Sequence, residues 1–291
     1  MSTETQDGVS EAATRNGKAA LVRSLYHRGD IHRAQARYSQ AESLYHRALA
    51  QARRVYGDNA SEIAVILNKL AMLYKYTGEY ERAWDLYRKA LEIAGKTMGP
   101  NHRSVAAIYH NLGGLEHERG RHAQGEPFAR RALRITLREF GPDHPNTAAD
   151  LAALAALLDG QNRFEESEPL YVRALAIFER AYGPDHYEIA VNLNNLAALK
   201  QAQGKPSEAE SMYRRALAIK EHVLGGEHPD CAVTLNNLAV LLRTQTKYDE
   251  AEAAYRRALT IFEHSLRPDH PKTLACRENY DRLLRRDACS E

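Results

Sequence analysis

The chain repeats itself with a period of 42 residues, six times over, with no insertion or deletion between copies. LYHRAL at 44–49 returns as LYRKAL (86–91), FARRAL (128–133), LYVRAL (170–175), MYRRAL (212–217) and AYRRAL (254–259). A second block keeps step with it: GDNASEIA (57–64), GPNHRSVA (99–106), GPDHPNTA (141–148), GPDHYEIA (183–190), GGEHPDCA (225–232) and RPDHPKTL (267–274). A unit this short cannot bury an apolar face alone, so the copies must stack on one another. Stacked copies make an extended surface and no single enclosed cleft.

Each copy reads as two helices. In SEIAVILNKLAMLYKYTG, Ile63, Ile66, Leu67, Leu70, Leu73 and Tyr74 recur at steps of three and four, a helical stripe. Gly78 and Glu79 interrupt it. Tyr80, Ala83, Leu86, Tyr87, Ala90, Leu91 and Ile93 then form a second stripe, which ends at Gly99-Pro100. Pro145, Pro229 and Pro271 stand where the next helix opens, and proline is welcome in a first turn. Each unit is therefore expected to be an antiparallel pair, helix A then helix B. Small residues at 41, 83, 125, 167, 209 and 251, and alanines at 48, 90, 132, 174, 216 and 258, let the pair approach to about 8–10 Å. Tyr45, Tyr87, Tyr171, Tyr213 and Tyr255 recur beside them as core.

The expected architecture is all-α: a right-handed α-solenoid of six helix pairs with a C-terminal capping helix. Its boundaries are a disordered N-terminal tail over 1–16 and a solenoid over 17–288. The repeats fall at about 18–60, 61–102, 103–144, 145–186, 187–228 and 229–270, with the cap at 271–288. The polar cap, with Asp281, Arg282, Arg285 and Arg286, suits the solubility requirement at a solenoid end.

Composition narrows the function. Net charge is +2, too balanced for a nucleic-acid binder, which concentrates basic charge. No run approaches about 18 apolar residues, so no membrane span is expected, and the N-terminus lacks the apolar core of a signal peptide. Cys231, Cys276 and Cys289 occupy unrelated repeat positions, as free thiols of a cytoplasmic protein would.

The L-x-x-L-[AG]-x-x-[YL] run of helix A, the mid-repeat glycine with an aromatic after it, and the A-x-x-x-Y-x-x-A run of helix B resemble the tetratricopeptide repeat. Its usual length is about 34 residues. The 42-residue form, with LNNLA at 193–197 and 235–239 and GPDHP at 141–145, is similar to the repeats of kinesin light chain and related bacterial and fungal proteins. Kinesin light chain also carries a heptad segment before its repeats. No such segment occurs here, so motor attachment is not expected. Repeat one departs at Arg28, and repeat four reads LAALA (151–155) without the paired asparagines.

Catalytic motifs are missing: there is no phosphate-binding glycine loop, no G-x-S-x-G and no H-E-x-x-H. His102, His144, His186, His228 and His270 recur, but equivalent residues about 10 Å apart cannot share a metal whose Zn–N bonds are about 2 Å. They read as loop and cap residues, and no metal or cofactor is expected. Arg47, Lys89, Arg131, Arg173, Arg215 and Arg257 form a basic column. However, Glu126, Glu210 and Glu252 sit four residues before Arg130, Arg214 and Arg256, pairs that neutralise that face.

The candidate site lies on helix A. Adjacent positions give Asn68-Lys69, His110-Asn111, Ala152-Ala153, Asn194-Asn195, Asn236-Asn237 and Glu278-Asn279. Asparagine is a mediocre helix former, and its amide complements a peptide backbone. The resemblance implies that helix A lines a concave groove and that Asn111, Asn195, Asn237 and Asn279 clamp an extended ligand. Bonding between neighbouring helices is the competing reading. Further along that face fall Arg33, Lys75, His117, Asp159, Gln201 and Arg243. With His27 and Lys69, the N-terminal half leans basic. The expected function is a non-catalytic scaffold or adaptor that binds a peptide segment of a partner protein in this groove, with acidic residues toward repeats one to three. Two alternatives remain, a self-associating solenoid and a regulatory subunit of a separately encoded enzyme. The sequence leaves oligomeric state open.

Overall fold

A computed structural model describes the backbone of residues 4–287 and the side chains of residues 16–285. The described residues form thirteen α-helices and no strand: α1 (Glu4–Ala34), α2 (Tyr38–Tyr56), α3 (Ser61–Tyr76), α4 (Tyr80–Met98), α5 (Arg103–Glu118), α6 (His122–Phe140), α7 (Pro145–Asp159), α8 (Phe164–Tyr182), α9 (Tyr187–Ala202), α10 (Pro206–Leu224), α11 (Pro229–Thr244), α12 (Tyr248–Ser265) and α13 (Pro271–Asp287). Odd-numbered helices are the A helices, even-numbered ones the B helices, and α13 is the cap. Residues 1–3 of the expected tail lie outside the described residues; from Glu4 the chain is helical. Arg28 is exposed on α1.

The chain's contacts group it into two compact units, Met1–Leu115 and Glu116–Glu291. In the first, α1 packs on α2 and α3 on α4, and α2 and α1 both touch α3. In the second, α7, α9 and α11 each pair with their own B helix, each B helix from α6 to α12 touches the next A helix, and α7, α9, α11 and α13 touch in sequence.

The small-residue columns carry this packing. Ala41, Ala83, Ala209 and Ala251, with Ser167, have no exposed surface, and Gly125 is buried with them. Ala48, Ala90, Ala132, Ala174, Ala216 and Ala258 are likewise sealed. The tyrosine column is buried beside them, each ring contributing on the order of 1.5–3 kcal/mol. In repeat one the approach is tighter still: a Cβ on Gly29 would stand 2.6 Å from the Tyr45 ring.

Turn chemistry repeats as well. Each A-to-B turn uses a left-handed residue: Gly78, Gly120 and Gly204, but also Ala36, Asn162 and Thr246. B helices end on Gly57, Gly99, Gly141, Gly183 and Gly225, all at positive φ. In repeat six Arg267 replaces that glycine, and α12 stops a residue sooner, on an extended Leu266. The recurrent histidines cap the A helices. Nδ1 of His102, His144, His186, His228 and His270 accepts the backbone N–H two residues on, at 3.0–3.3 Å. Those bonds fill donors that a helix start leaves open.

Candidate functional site on the A-helix face

In the second unit, five asparagines on three A helices join into one ladder. Asn279 Nδ2 donates to Asn236 Oδ1 (3.2 Å), Asn236 Nδ2 to Asn237 Oδ1 (3.5 Å), Asn237 Nδ2 to Asn194 Oδ1 (3.4 Å), and Asn194 Nδ2 to Asn195 Oδ1 (3.3 Å). In the first unit Asn111 Nδ2 donates to Asn68 Oδ1 at 3.0 Å. The amides therefore do bond neighbouring A helices. Only part of each amide's capacity is used: an amide offers two donors and an acceptor with two lone pairs, and Asn195, Asn236, Asn237 and Asn279 remain partly exposed. His110, beside Asn111 on α5, is also half-buried. Ala152 and Ala153 leave α7 outside the ladder.

The basic lean of the first unit is largely taken up internally. Lys69 Nζ lies 2.6 Å from Asp30 Oδ2. The other Asp30 oxygen accepts from the Tyr45 hydroxyl at 2.8 Å, and His27 approaches Asp30 at 3.8 Å. Lys75 and Arg33 both stand over the Tyr76 ring, at 5.5 and 5.6 Å. Arg33 Nε is buried without a partner, as is Nε of Arg243 in the last repeat of the second unit.

Asp159, at the end of α7, contrasts with these. Burial pushes its carboxyl up to about 6. Its charge also acts on the Tyr171 and Tyr213 hydroxyls, both driven far above the ordinary phenol range, first by burial and then by Asp159.

On the B-helix side, carboxylates clasp the following repeat. Glu126 accepts from Gln161 (2.9 Å) and Arg163 (2.8 Å) as well as from Arg130 within its own helix. Glu168 accepts from Lys200 and Gln203, which hold it below the usual carboxylate range. Glu210 accepts from Lys247 (2.8 Å) and Arg214. In the basic column, Arg215 reaches Glu179 (2.9 Å) and Arg257 reaches Glu221 (2.6 Å), each one repeat back. This face is self-neutralised. Among the described residues no group of three His, Cys, Asp or Glu side chains is placed to hold a metal ion. No described helix is long and apolar enough to cross a membrane.

The tetratricopeptide repeat model matches residues 21–96, 104–180, 160–222, 190–264 and 230–287. The chain belongs to the tetratricopeptide repeat family. Its fold class is accordingly the α-solenoid of helix pairs with a terminal cap, and this family generally supplies non-catalytic interaction scaffolds. No curated protein matches the sequence significantly. Among solved structures, BtubC (BKLC) from P. vanneervenii shares 27% identity at a TM-score of 0.57, over 78% of this chain and 91% of that one. A kinesin light chain-like protein of nearly identical repeats from Podosopora anserina shares 22% at 0.50, over 71% and 98%. A Rap protein complexed with Competence and Sporulation Factor shares 17% at 0.60, over 92% and 76%. The last two likenesses concern fold alone.

Reading a tetratricopeptide chain column by column missed Asp30, which holds Lys69 from 39 residues away. It also missed the offset of the ladder, in which each asparagine meets the residue 43 positions earlier. Spacing alone could have suggested that offset, since the asparagines come in adjacent pairs.

Proposed function

We propose that the protein is a non-catalytic adaptor that captures an extended peptide segment of a partner protein on the A-helix face of its second unit. The observation that carries this reading is the amide ladder of Asn194, Asn195, Asn236, Asn237 and Asn279: a row of side chains fixed by mutual hydrogen bonds whose unused donors and acceptors suit a peptide backbone. Fixing the amides beforehand lowers the ordering cost of binding. Family membership supports an interaction role, and the pairing of most charged side chains leaves few groups for acid–base chemistry. In the first unit, Asn68, Lys69, Lys75, His110 and Asn111 form a lesser candidate surface. The acidic preference expected there now rests on Arg33, because Lys69 is neutralised by Asp30. We place the activity in the cytosol, where Cys231 and Cys276, both buried free thiols, stay reduced.

The test pans a phage-displayed library of random dodecapeptides on the full chain. Selected peptides are then measured by fluorescence anisotropy against wild type and an Asn195→Ala/Asn237→Ala variant whose helix content is confirmed by circular dichroism. The expected result is at least a tenfold loss in the variant. Undiminished binding by the folded variant sends recognition to the B-helix face or the loops.

A further inference from the structure

The helices α3, α7, α9, α11 and α13 are each covered by the B helix before them, and a glutamate of that B helix closes the contact. Glu42 accepts from the Tyr74 hydroxyl (2.7 Å), Glu126 from Gln161 and Arg163 (2.9 and 2.8 Å), and Glu168 from Lys200 and Gln203. Glu210 accepts from Lys247 (2.8 Å) and Glu252 from the Tyr280 hydroxyl (3.0 Å). Counted back in whole repeats, Tyr280 falls on Arg28, Tyr74 and Lys200 on His32, Gln161 and Gln203 on Gln35, and Arg163 and Lys247 on Arg37. Repeat one therefore carries the receiving half of this contact. Among the described residues no helix covers that side of α1. Leu21 is 48% and Ile31 57% exposed there, at positions where Ile63, Leu73, Ile189 and Leu199 are sealed. Leu154 and Leu157, at the Arg28 and Ile31 positions of repeat four, pack with Ala129 of the preceding α6. A hollow of about 400 Å³ opens between α1 and α2, lined by Arg28, His32, Ser39, Gln40 and Ser43. Nδ1 of His32 is buried in its wall without a partner, which is costly. The carboxylates between residues 17 and 44 are Asp30 and Glu42, and both are committed, Asp30 to Lys69 and Tyr45, Glu42 to Tyr74. This side thus offers apolar surface and donors, and no acid.

We propose that the uncovered side of repeat one docks an amphipathic helix of a partner protein, with an apolar stripe flanked by glutamates, seated as a B helix is seated inside the array. The stripe covers Leu21 and Ile31, and a glutamate meets Arg28, His32 or Arg37. Apolar burial holds the helix, and the charges set its direction and its rate of arrival. Charge also decides between occupants. Two copies meeting through this side would oppose Arg28 and Arg37 to themselves. The last helix, α13, is an A helix without the clasp glutamate, and α2, α6, α8, α10 and α12 are already covered. The start of the chain cannot fold back here, because α1 runs unbroken from Glu4 to Ala34. The site is separate from the amide ladder, and neither needs the other.

The probe is a fluorescein-labelled peptide of residues 164–182, the α8 sequence, whose Glu165, Glu166, Glu168 and Glu179 outnumber Arg173 and Arg180. A hydrocarbon staple between positions 172 and 176, both exposed in the array, makes it helical beforehand. Fluorescence anisotropy against the full chain should show saturable binding that falls about tenfold for Arg28→Glu/Arg37→Glu, with helix content confirmed by circular dichroism. The same peptide with Glu165→Lys and Glu168→Lys should bind wild type poorly and regain about tenfold on the reversed variant. Ile31→Ser, which leaves the charges alone, should weaken both pairings. Asn195→Ala/Asn237→Ala should change nothing. Failure of the stapled peptide to bind, or equal binding by wild type and the arginine variant, overturns the docking site. A loss confined to the asparagine variant overturns it as well and assigns the peptide to the ladder. Sedimentation of the chain alone completes the test: a dimer that Arg28→Glu/Arg37→Glu dissolves would seat a second copy on this side and overturn the partner helix.

Discussion

Asp159 shows how a single side chain records a cost that its surroundings do not relieve. Its carboxyl titrates near 6 rather than near 4 because burial disfavours the charged form. A raised folded pKa gives stability that is complete below about pH 4 and lost as pH rises through about 6. Asp159→Asn should therefore stabilise the free protein at pH 7.5 and change nothing at pH 4. A two-unit shift corresponds to about 3 kcal/mol, and screening by water at the partly open side chain reduces this to on the order of 1 kcal/mol. The groups facing it do not reverse the sign. Tyr171 and Tyr213 stay neutral, and His122, packed against Gly160 next door, has a pKa lowered by burial. Urea melts of both proteins at the two pH values check this; a variant less stable at pH 7.5 contradicts it. The sequence placed Asp159 in a column but could not show that it stands alone, because isolation depends on what every other helix brings near.

At the scale of the element, the helix pairs and the core were plain from the 42-residue period, from the alanine and tyrosine columns and from the Gly-Pro stops. The histidine caps were legible in kind, though not in their use of Nδ1. What escaped was contact between elements. The ladder runs at an offset of 43 because adjacent A helices meet one residue out of repeat register. Asp30 lies in the degenerate first repeat, where column reading has least to compare. The A-to-B turn shows how little the backbone yields to sequence drift, since Thr246 holds φ 63° where other repeats use glycine. A β-branched residue there carries about 1–2 kcal/mol of steric cost, part of which glycine offsets through its greater freedom when unfolded. Thr246→Gly should raise stability by about 0.5–1 kcal/mol, read as a higher midpoint in thermal unfolding. An unchanged or lower midpoint would mean that the turn is relaxed.

At the scale of the molecule, stability in stacked repeats is a sum of repeat and neighbour terms, and the clasps of Glu126, Glu168 and Glu210 are neighbour terms. The cap is another. Thr273, Cys276 and Leu283 of α13 are buried, and Tyr280 packs on Tyr255 at 5.9 Å. Deleting residues 271–291 removes that cover from repeat six. At about 1.5–3 kcal/mol for each fully buried apolar side chain, the loss should exceed about 3 kcal/mol. Hydrogen exchange should then show fast amides in α11 and α12 and slow ones in α7 and α8. Uniformly slow amides would show that repeat six needs no cover.

Lys272, opening α13, meets Glu118, closing α5, at 3.2 Å although 154 residues separate them. Glu118 and Lys272 both belong to the second unit, so one ion pair bridges residues near the two sequence ends of that unit and acts as a latch across the A helices between them. Traffic through it depends on the shape of the guest. A free chain end can thread in, whereas a loop fixed at both ends must wait for the latch to part. Both latch side chains are about a third exposed, 31% and 30%, and such a pair contributes under about 1 kcal/mol. Ordinary salt would loosen it, so the entry of looped guests should quicken as ionic strength rises.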